Sequence, residues 1–288
     1  MRLPSLGIAI CVLALAAACS APKPPETIRQ YPLTGEVLAV KPDRSEVQVK
    51  HDEIKDFMEP MTMWFTVRDP KLLEGLTPGD LIGATLVLTA EDHYLTGIRK
   101  TGRRAPGDAS APPPEPADVL PVGAPVPDIT FTDEAGRPRP LSSYRGTYTL
   151  LTFIYLRCPL PDYCPRMNAH FAVVQRGVLA DAALRQHVRL LSISFDPDFD
   201  TPARLGAKAT EMGADPAVWH FVTAPRAAVD EFGGRLGLTV VREGAEGVNI
   251  THNLRTALLD RDGRLARTYN GKEWVPAEVI RDLQALVK

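Results

Sequence analysis

Between Tyr31 and Arg99, apolar and polar residues alternate in short runs: Tyr31 to Val40, Glu46 to Val49, Met61 to Val67, Leu81 to Thr89 and Tyr94 to Arg99. A period of two sends successive side chains to opposite faces, so each run predicts a strand. The interruptions are Pro42-Asp43, Thr77-Pro78-Gly79-Asp80 and Glu91-Asp92-His93, residues suited to turns.

After residue 122 the pattern changes. Thr149 to Leu156 and Val188 to Phe195 are continuous apolar runs, the mark of strands buried on both faces. Between them, Arg166 to Ala180 places Met167, Phe171, Val174 and Val178 on one helical face. Thr201-Pro202 reads as an N-cap and first-turn proline opening another helix. A short strand follows at Trp219 to Val222 and a helix at Pro225 to Leu236. Arg255 to Leu259 and Leu265 to Tyr269 flank Asp260-Arg261-Asp262-Gly263, a hairpin signal, and Pro276 to Val287 closes with a helix. The expected fold is therefore two domains. The first is a small all-β barrel of the OB type; the second is α/β, in thioredoxin-like order.

Composition supports that division. Residues 102 to 121 include Ala-Pro-Pro-Pro-Glu-Pro and cannot bury a core, so they read as a semi-rigid linker. The domains are then 29–101 and 122–288. The chain has 288 residues, 44% of them hydrophobic, and a formal net charge of −2 from 33 basic and 35 acidic side chains. Such a balance gives no electrostatic reason to expect nucleic acid as partner.

At the N-terminus, Met1-Arg2 precedes an apolar run from Leu6 to Ala18 that ends in Ala16-Ala17-Ala18-Cys19-Ser20. A basic start, a short apolar stretch and small residues before a cleavage point read as a signal segment over 1–18. The run falls about six residues short of a comfortable membrane span. The residues ahead of Cys19 resemble a bacterial lipobox, although Ala16 stands where leucine is usual. That resemblance implies a lipidated Cys19 followed by a tether over 19–28, which holds Pro22, Pro24 and Pro25. The alternative is ordinary cleavage, with Cys19 spare or removed.

Three of the six methionines, Met58, Met61 and Met63, lie shortly after His51. Met61 and Met63 share a strand face, so their thioethers can converge. Thioethers and imidazole suit Cu(I), whereas methionine elsewhere is adaptable core filler. The stretch resembles the CusF-like periplasmic copper and silver proteins, small barrels with a histidine, a tryptophan and then Met-x-Met. His51, Met61 and Met63 match that motif. No tryptophan stands between them, and Trp64 falls on the opposite face by parity. Met58 is available as a third sulfur.

Cys158 and Cys164 are the thiols beyond the N-terminal segment, five residues apart in a loop that follows a buried strand. In an exported protein such a pair can be a short disulfide, a metal site or a redox pair. Cys164 is expected just before a helix opened by Pro165, where the helix terminus favours a thiolate. The flanks resemble the SCO/SenC family, thioredoxin-like copper chaperones with Cys-Pro-x-x-Cys-Pro after the first core strand and a late histidine. Thr251-His252-Asn253 stands where that histidine does, and Asp196-Pro197 with Asp200-Thr201-Pro202 matches a further segment. The departure is the spacer, Pro159-Leu160-Pro161-Asp162-Tyr163, longer than the usual three residues.

The resemblances imply an exported copper chaperone on the periplasmic side of the cell envelope, anchored through Cys19. Each domain would hold copper separately: His51, Met61, Met63 and Met58 in one, Cys158, Cys164 and His252 in the other. The implied client is a copper protein, a respiratory (cytochrome) oxidase subunit. The rival reading is a thiol–disulfide oxidoreductase using Cys158 and Cys164 as a catalytic redox pair. A peroxidase is weaker, since no matching cysteine segment is present. His93, His170, His187 and His220 have no partner pattern and carry no assigned role.

Overall fold

The computed structural model describes residues 28–105, 118–243 and 249–287. The expected signal segment and Cys19 lie outside them, as do the tether up to Thr27 and residues 106–117 of the Pro-rich stretch. No helix among the described residues is long and apolar enough to cross a membrane.

The first domain is all-β. Its strands are β1 (Arg29–Val40), β2 (Glu46–His51), β3 (Met61–Thr66), β4 (Asp80–Leu88) and β5 (His93–Arg103), in the order β3-β2-β1-β4-β5. All neighbouring pairs are antiparallel. The two sheet edges meet at one parallel bridge, Val67 to Leu95. The sheet therefore curls over its own core, Val37, Val49, Phe65 and Leu86, without a continuous ladder from β3 to β5. The strand β5 also runs to Arg103, two residues into the stretch read as linker.

The second domain begins with a hairpin, β6 (Thr130–Asp133) and β7 (Pro138–Pro140), and then alternates. In order come β8 (Tyr148–Ile154), α1 (Cys164–Ala180), α2 (Ala182–His187), β9 (Val188–Ser194), α3 (Pro202–Glu211), β10 (Trp219–Thr223) and α4 (Arg226–Arg235). A second hairpin, β11 (Val240–Glu243) and β12 (Asn249–His252), precedes a third, β13 (Arg255–Leu259) and β14 (Leu265–Asn270), and α5 (Pro276–Val287) ends the fold. The main sheet has the order β14-β13-β8-β9-β10-β6-β7, with β8, β9 and β10 parallel. On α1, Met167, Phe171, Val174 and Val178 are wholly buried. Each such side chain stabilises the fold by about 1.5–3 kcal/mol.

Two strand pairs and one helix differ from the sequence expectation. The pairs β6–β7 and β11–β12 are too short to stand out by period, and α2 is a separate helix because Asp181 caps it. The Asp181 carboxylate accepts from the N–H groups of Ala183 and Leu184 at 3.0 and 3.2 Å. Thr201 occupies the N-cap position of α3, but its side chain makes no capping bond.

Candidate metal centre

The strand β8 ends at Ile154, and the chain turns through Tyr155, Leu156 and Arg157 into Cys158. Two aspartates from the connection between β9 and α3 hold this turn. Asp200 accepts from the backbone N–H of Leu156 at 3.0 Å and from the Ser194 hydroxyl at 2.5 Å. Asp196 pairs with the Arg157 guanidinium at 2.6 and 3.0 Å. The Asp-Pro…Asp-Thr-Pro segment thus fixes the residues just ahead of the first thiol. Burial raises the Asp200 carboxyl to about 6, against the hydrogen bonds from Ser194 and Leu156.

Cys158 and Cys164 are free thiols, and His252 sits at the end of β12. One ligand atom from each of the three lies within 4.8 Å of the others. His252 is framed by Phe195, Tyr155 and Tyr163, with ring centroids 4.9, 5.5 and 5.8 Å away. Its Nδ1 lies 2.8 Å from the Asn253 carbonyl. A carbonyl can only accept, so Nδ1 carries the proton and Nε2 offers its lone pair, 3.9 Å from the Cys164 sulfur.

Cys164 is the first residue of α1, one position further in than expected, and Pro165 follows within the first turn. The expected thiolate at Cys164 is corrected by its surroundings. Burial pushes the Cys164 thiol well up, reinforced by the hydrogen bond and charge of Cys158, and the helix terminus does not offset them. Cys158 is the reverse. Burial opposes its ionisation, but the contacts with Cys164 and His252 hold it well below the ordinary thiol range. The two thiols titrate as a coupled pair, with Cys158 the more readily ionised of the two.

In the first domain, His51 lies directly opposite Met61 in the β2–β3 ladder, and Val49 opposite Met63. Gly35 of β1 stands on the other side of His51. A Cβ there would come within 2.6 Å of the Lys50 carbonyl and 2.8 Å of the His51 Cα, so a glycine is required for β1 to approach. Met58 is turned inward by a tight loop in which Ile54 and Met58 exchange backbone hydrogen bonds of 2.7 and 2.9 Å. Asp56 takes a left-handed φ of 60° to make that loop. His51 repeats the arrangement of His252: its Nδ1 lies 2.7 Å from the Asp52 carbonyl. The buried Nε2 has no hydrogen-bond partner. Burial lowers the His51 pKa, keeping the ring neutral. A bare imidazole nitrogen on His51, paired across the ladder with Met61, and the buried thioethers of Met58, Met61 and Met63 are soft donors of the kind that fits Cu(I).

The two sets were expected to be separate, and the structure brings them face to face. Met58, Met61 and Met63 line one cavity together with Cys158 and His252. Its volume is about 20 Å³, room for one water-sized occupant. The five-residue spacer makes the joint. Leu160 is buried in the apolar core of the first domain, and the Tyr163 hydroxyl donates to the Trp64 carbonyl at 3.4 Å. The Thr62 N–H donates to the Thr251 hydroxyl at 3.2 Å, next to His252. Trp64 itself borders a cleft of about 220 Å³ that also reaches Tyr163, His252 and Lys272.

His93, to which the sequence assigned no role, is half of the joint. Its Nδ1 meets the Asp162 carboxylate at 2.6 Å, both residues being wholly buried. Lys272 pairs with the same carboxylate. Burial resists ionisation of Asp162, but the His93 hydrogen bond and the charges of His93 and Lys272 bring its pKa to about 2. Asp92, His93 and Asp162 also bring ligand atoms together, but the Lys272 ammonium already supplies positive charge there, 3.6 Å from Asp92. No local pattern in the sequence could pair His93 with Asp162; the surplus length of the spacer was the available signal.

A thioredoxin-like domain with two cysteines at its first strand–helix junction and a distant histidine facing them defines a class of thiol-bearing proteins. Residues 123–288 match the family model described as SCO1/SenC, more than half of the chain, and the chain belongs to that family. Residues 30–100 match the model described as copper binding periplasmic protein CusF. The SCO1 protein homolog of Bacillus subtilis (strain 168) is 28% identical over 167 residues, covering 57% of this chain and 84% of the relative. A SCO1/SenC family lipoprotein from Bacillus anthracis aligns with TM-score 0.51 and 23% identity over 57% of this chain and 95% of its own, a likeness in fold. Bradyrhizobium japonicum ScoI, solved with copper bound, aligns at 26% identity and TM-score 0.47 over 57% of this chain and 99% of its own.

Proposed function

We propose that this protein is an exported copper chaperone, held at the periplasmic face of the envelope by a lipid on Cys19, which delivers copper to a respiratory oxidase copper centre. Copper is its cargo. The single observation that carries the reading is the convergence of Cys158, Cys164 and His252 within 4.8 Å, with Nε2 of the histidine directed at sulfur. Two sulfurs and an imidazole suit Cu(I), and Cu(II) when an oxygen ligand is added. The lowered Cys158 thiol favours the thiolate form in which sulfur binds copper.

The same thiols could exchange disulfides, and His252 separates the two roles. Thiol–disulfide exchange depends on thiolate fraction and access, whereas a copper site loses a donor outright when the imidazole goes. In a competitive Cu(I) titration of the full chain, His252→Ala is expected to weaken the dithiol site by roughly 100-fold. Oxidation and reduction of Cys158 and Cys164 against glutathione should continue. If copper affinity survives and exchange collapses, the oxidoreductase reading replaces the chaperone. For the anchor, Cys19→Ala should release the protein from membranes; a wild type that is wholly soluble with an unmodified N-terminus would contradict lipidation.

A further inference from the structure

We propose that the two donor sets share one transfer chamber, in which Cu(I) captured by the methionines of the first domain passes directly to Cys158, Cys164 and His252 without entering solvent. This rests on the copper reading above and adds to it a route between the sets. The chamber is the small cavity whose lining includes Met58, Met61, Met63, Cys158 and His252. Cys158 and His252 belong to the dithiol set and line the same half-open cavity as the thioethers, so an ion there has donors of both kinds around it. Room for one water-sized occupant leaves no space for a hydrated ion, which favours ligand-by-ligand exchange.

The spacer between the cysteines forms one wall of this chamber, through Pro159, Leu160 and Tyr163. Leu160 enters the core of the first domain, and Asp162 is held by His93 of that domain and Lys272 of the second. The Tyr163 hydroxyl reaches the Trp64 carbonyl, and Arg166 donates to the Glu91 carbonyl at 2.7 Å. These bonds fix the mouth of the dithiol against the methionine strand. The extra length of the spacer thereby gains a purpose: it places a buried leucine and a buried carboxylate across the joint.

The exchange balances without redox chemistry. Copper–thioether bonds break, copper–thiolate bonds form, and copper remains Cu(I) throughout. Any proton still held by Cys158 or Cys164 leaves to solvent as that sulfur binds copper. Thiolate is the stronger donor to a cation, so transfer runs from the methionines to the cysteines.

The test follows the thiolate-to-Cu(I) absorption band in the full reduced chain after mixing with a Cu(I)–chelator complex. Linked sites meet at millimolar effective concentration, so the wild type should fill the dithiol at a rate independent of protein concentration once copper is captured. The Met58→Leu, Met61→Leu, Met63→Leu variant should reach the same final occupancy roughly tenfold or more slowly, at a rate proportional to chelator complex. Asp162→Asn, which keeps every copper donor, should slow filling in the same way by loosening the joint. Equal rates in all three proteins, with the band present, would overturn the chamber and leave the dithiol site standing. Absence of the band in the wild type would overturn the copper reading itself.

Discussion

The two donor sets are built by opposite means. His51, Met61 and Met63 are neighbours in one antiparallel ladder, with Met58 in the connecting loop, so strand register alone assembles them. Cys158, Cys164 and His252 come from a loop, a helix start and a hairpin end, and meet only when the second domain has folded. Both histidines nevertheless use the same device, a carbonyl of the next residue fixing the proton on Nδ1 and leaving Nε2 bare. The ladder set is rigid because each donor sits on hydrogen-bonded backbone. The loop set depends on Asp196 and Asp200 behind it and on Asp162 across the joint.

The sharpest way to break that contrast is Asp162→Ala. It leaves His93 without its carboxylate in a wholly buried position, and removing one member of a buried pair costs about 3–5 kcal/mol. Hydrogen exchange should rise around Leu160 and β3 while the β8–β9 core stays protected. Unchanged exchange at Leu160 would show that the joint does not rest on this pair.

Gly35→Ala attacks the ladder set instead. Its Cβ would collide with backbone on both sides of His51, for about 1–3 kcal/mol of overpacking. Ag(I) binding at the methionines should weaken while the dithiol band is kept. Loss of both together would contradict their separate construction.

A third effect comes from pH. The Asp162 carboxyl sits at about 2 in the folded protein against an ordinary 3.8. Because the folded value is the lower, the pair stabilises fully above pH ~4, and that stability fades as pH falls toward ~2; the loss is about 2 kcal/mol. Thermal unfolding of wild type and Asp162→Asn should converge in stability across that window. A constant difference between them would assign the acid sensitivity to another group. The smallest change in stability is expected for Met61→Leu with Met63→Leu, each a volume-conserving swap costing less than about 1.5 kcal/mol. Ag(I) affinity of the first domain should fall sharply in the same protein. Retained affinity would return these methionines to ordinary core packing.

What could be read in advance follows the same contrast. Period-two runs gave β1 to β5, and apolar runs with their helical spacer gave β8, α1 and β9, because burial imposes a repeating pattern. The strand pair carrying His252 was missed, although Val240-Val241 and Ile250-Thr251 flank a glycine-containing stretch. Four-residue strands hold too few positions for a period to show. The helix terminus at Cys164 is visible in sequence, whereas the burial and the contact with Cys158 that push its thiol up are not. The joint of His93 with Asp162 spans 69 positions of sequence and two domains, and its sign beforehand was a spacer longer than the resemblance called for.

The central claim is that copper comes to rest on Cys158, Cys164 and His252. X-ray absorption at the copper edge, on the full reduced chain with one equivalent of Cu(I), tests it directly. The account predicts two short sulfur ligands and one nitrogen, and in Cys158→Ser, Cys164→Ser their replacement by the longer thioether and imidazole ligands of the methionine set. A wild-type spectrum that the double serine variant leaves unchanged would contradict it.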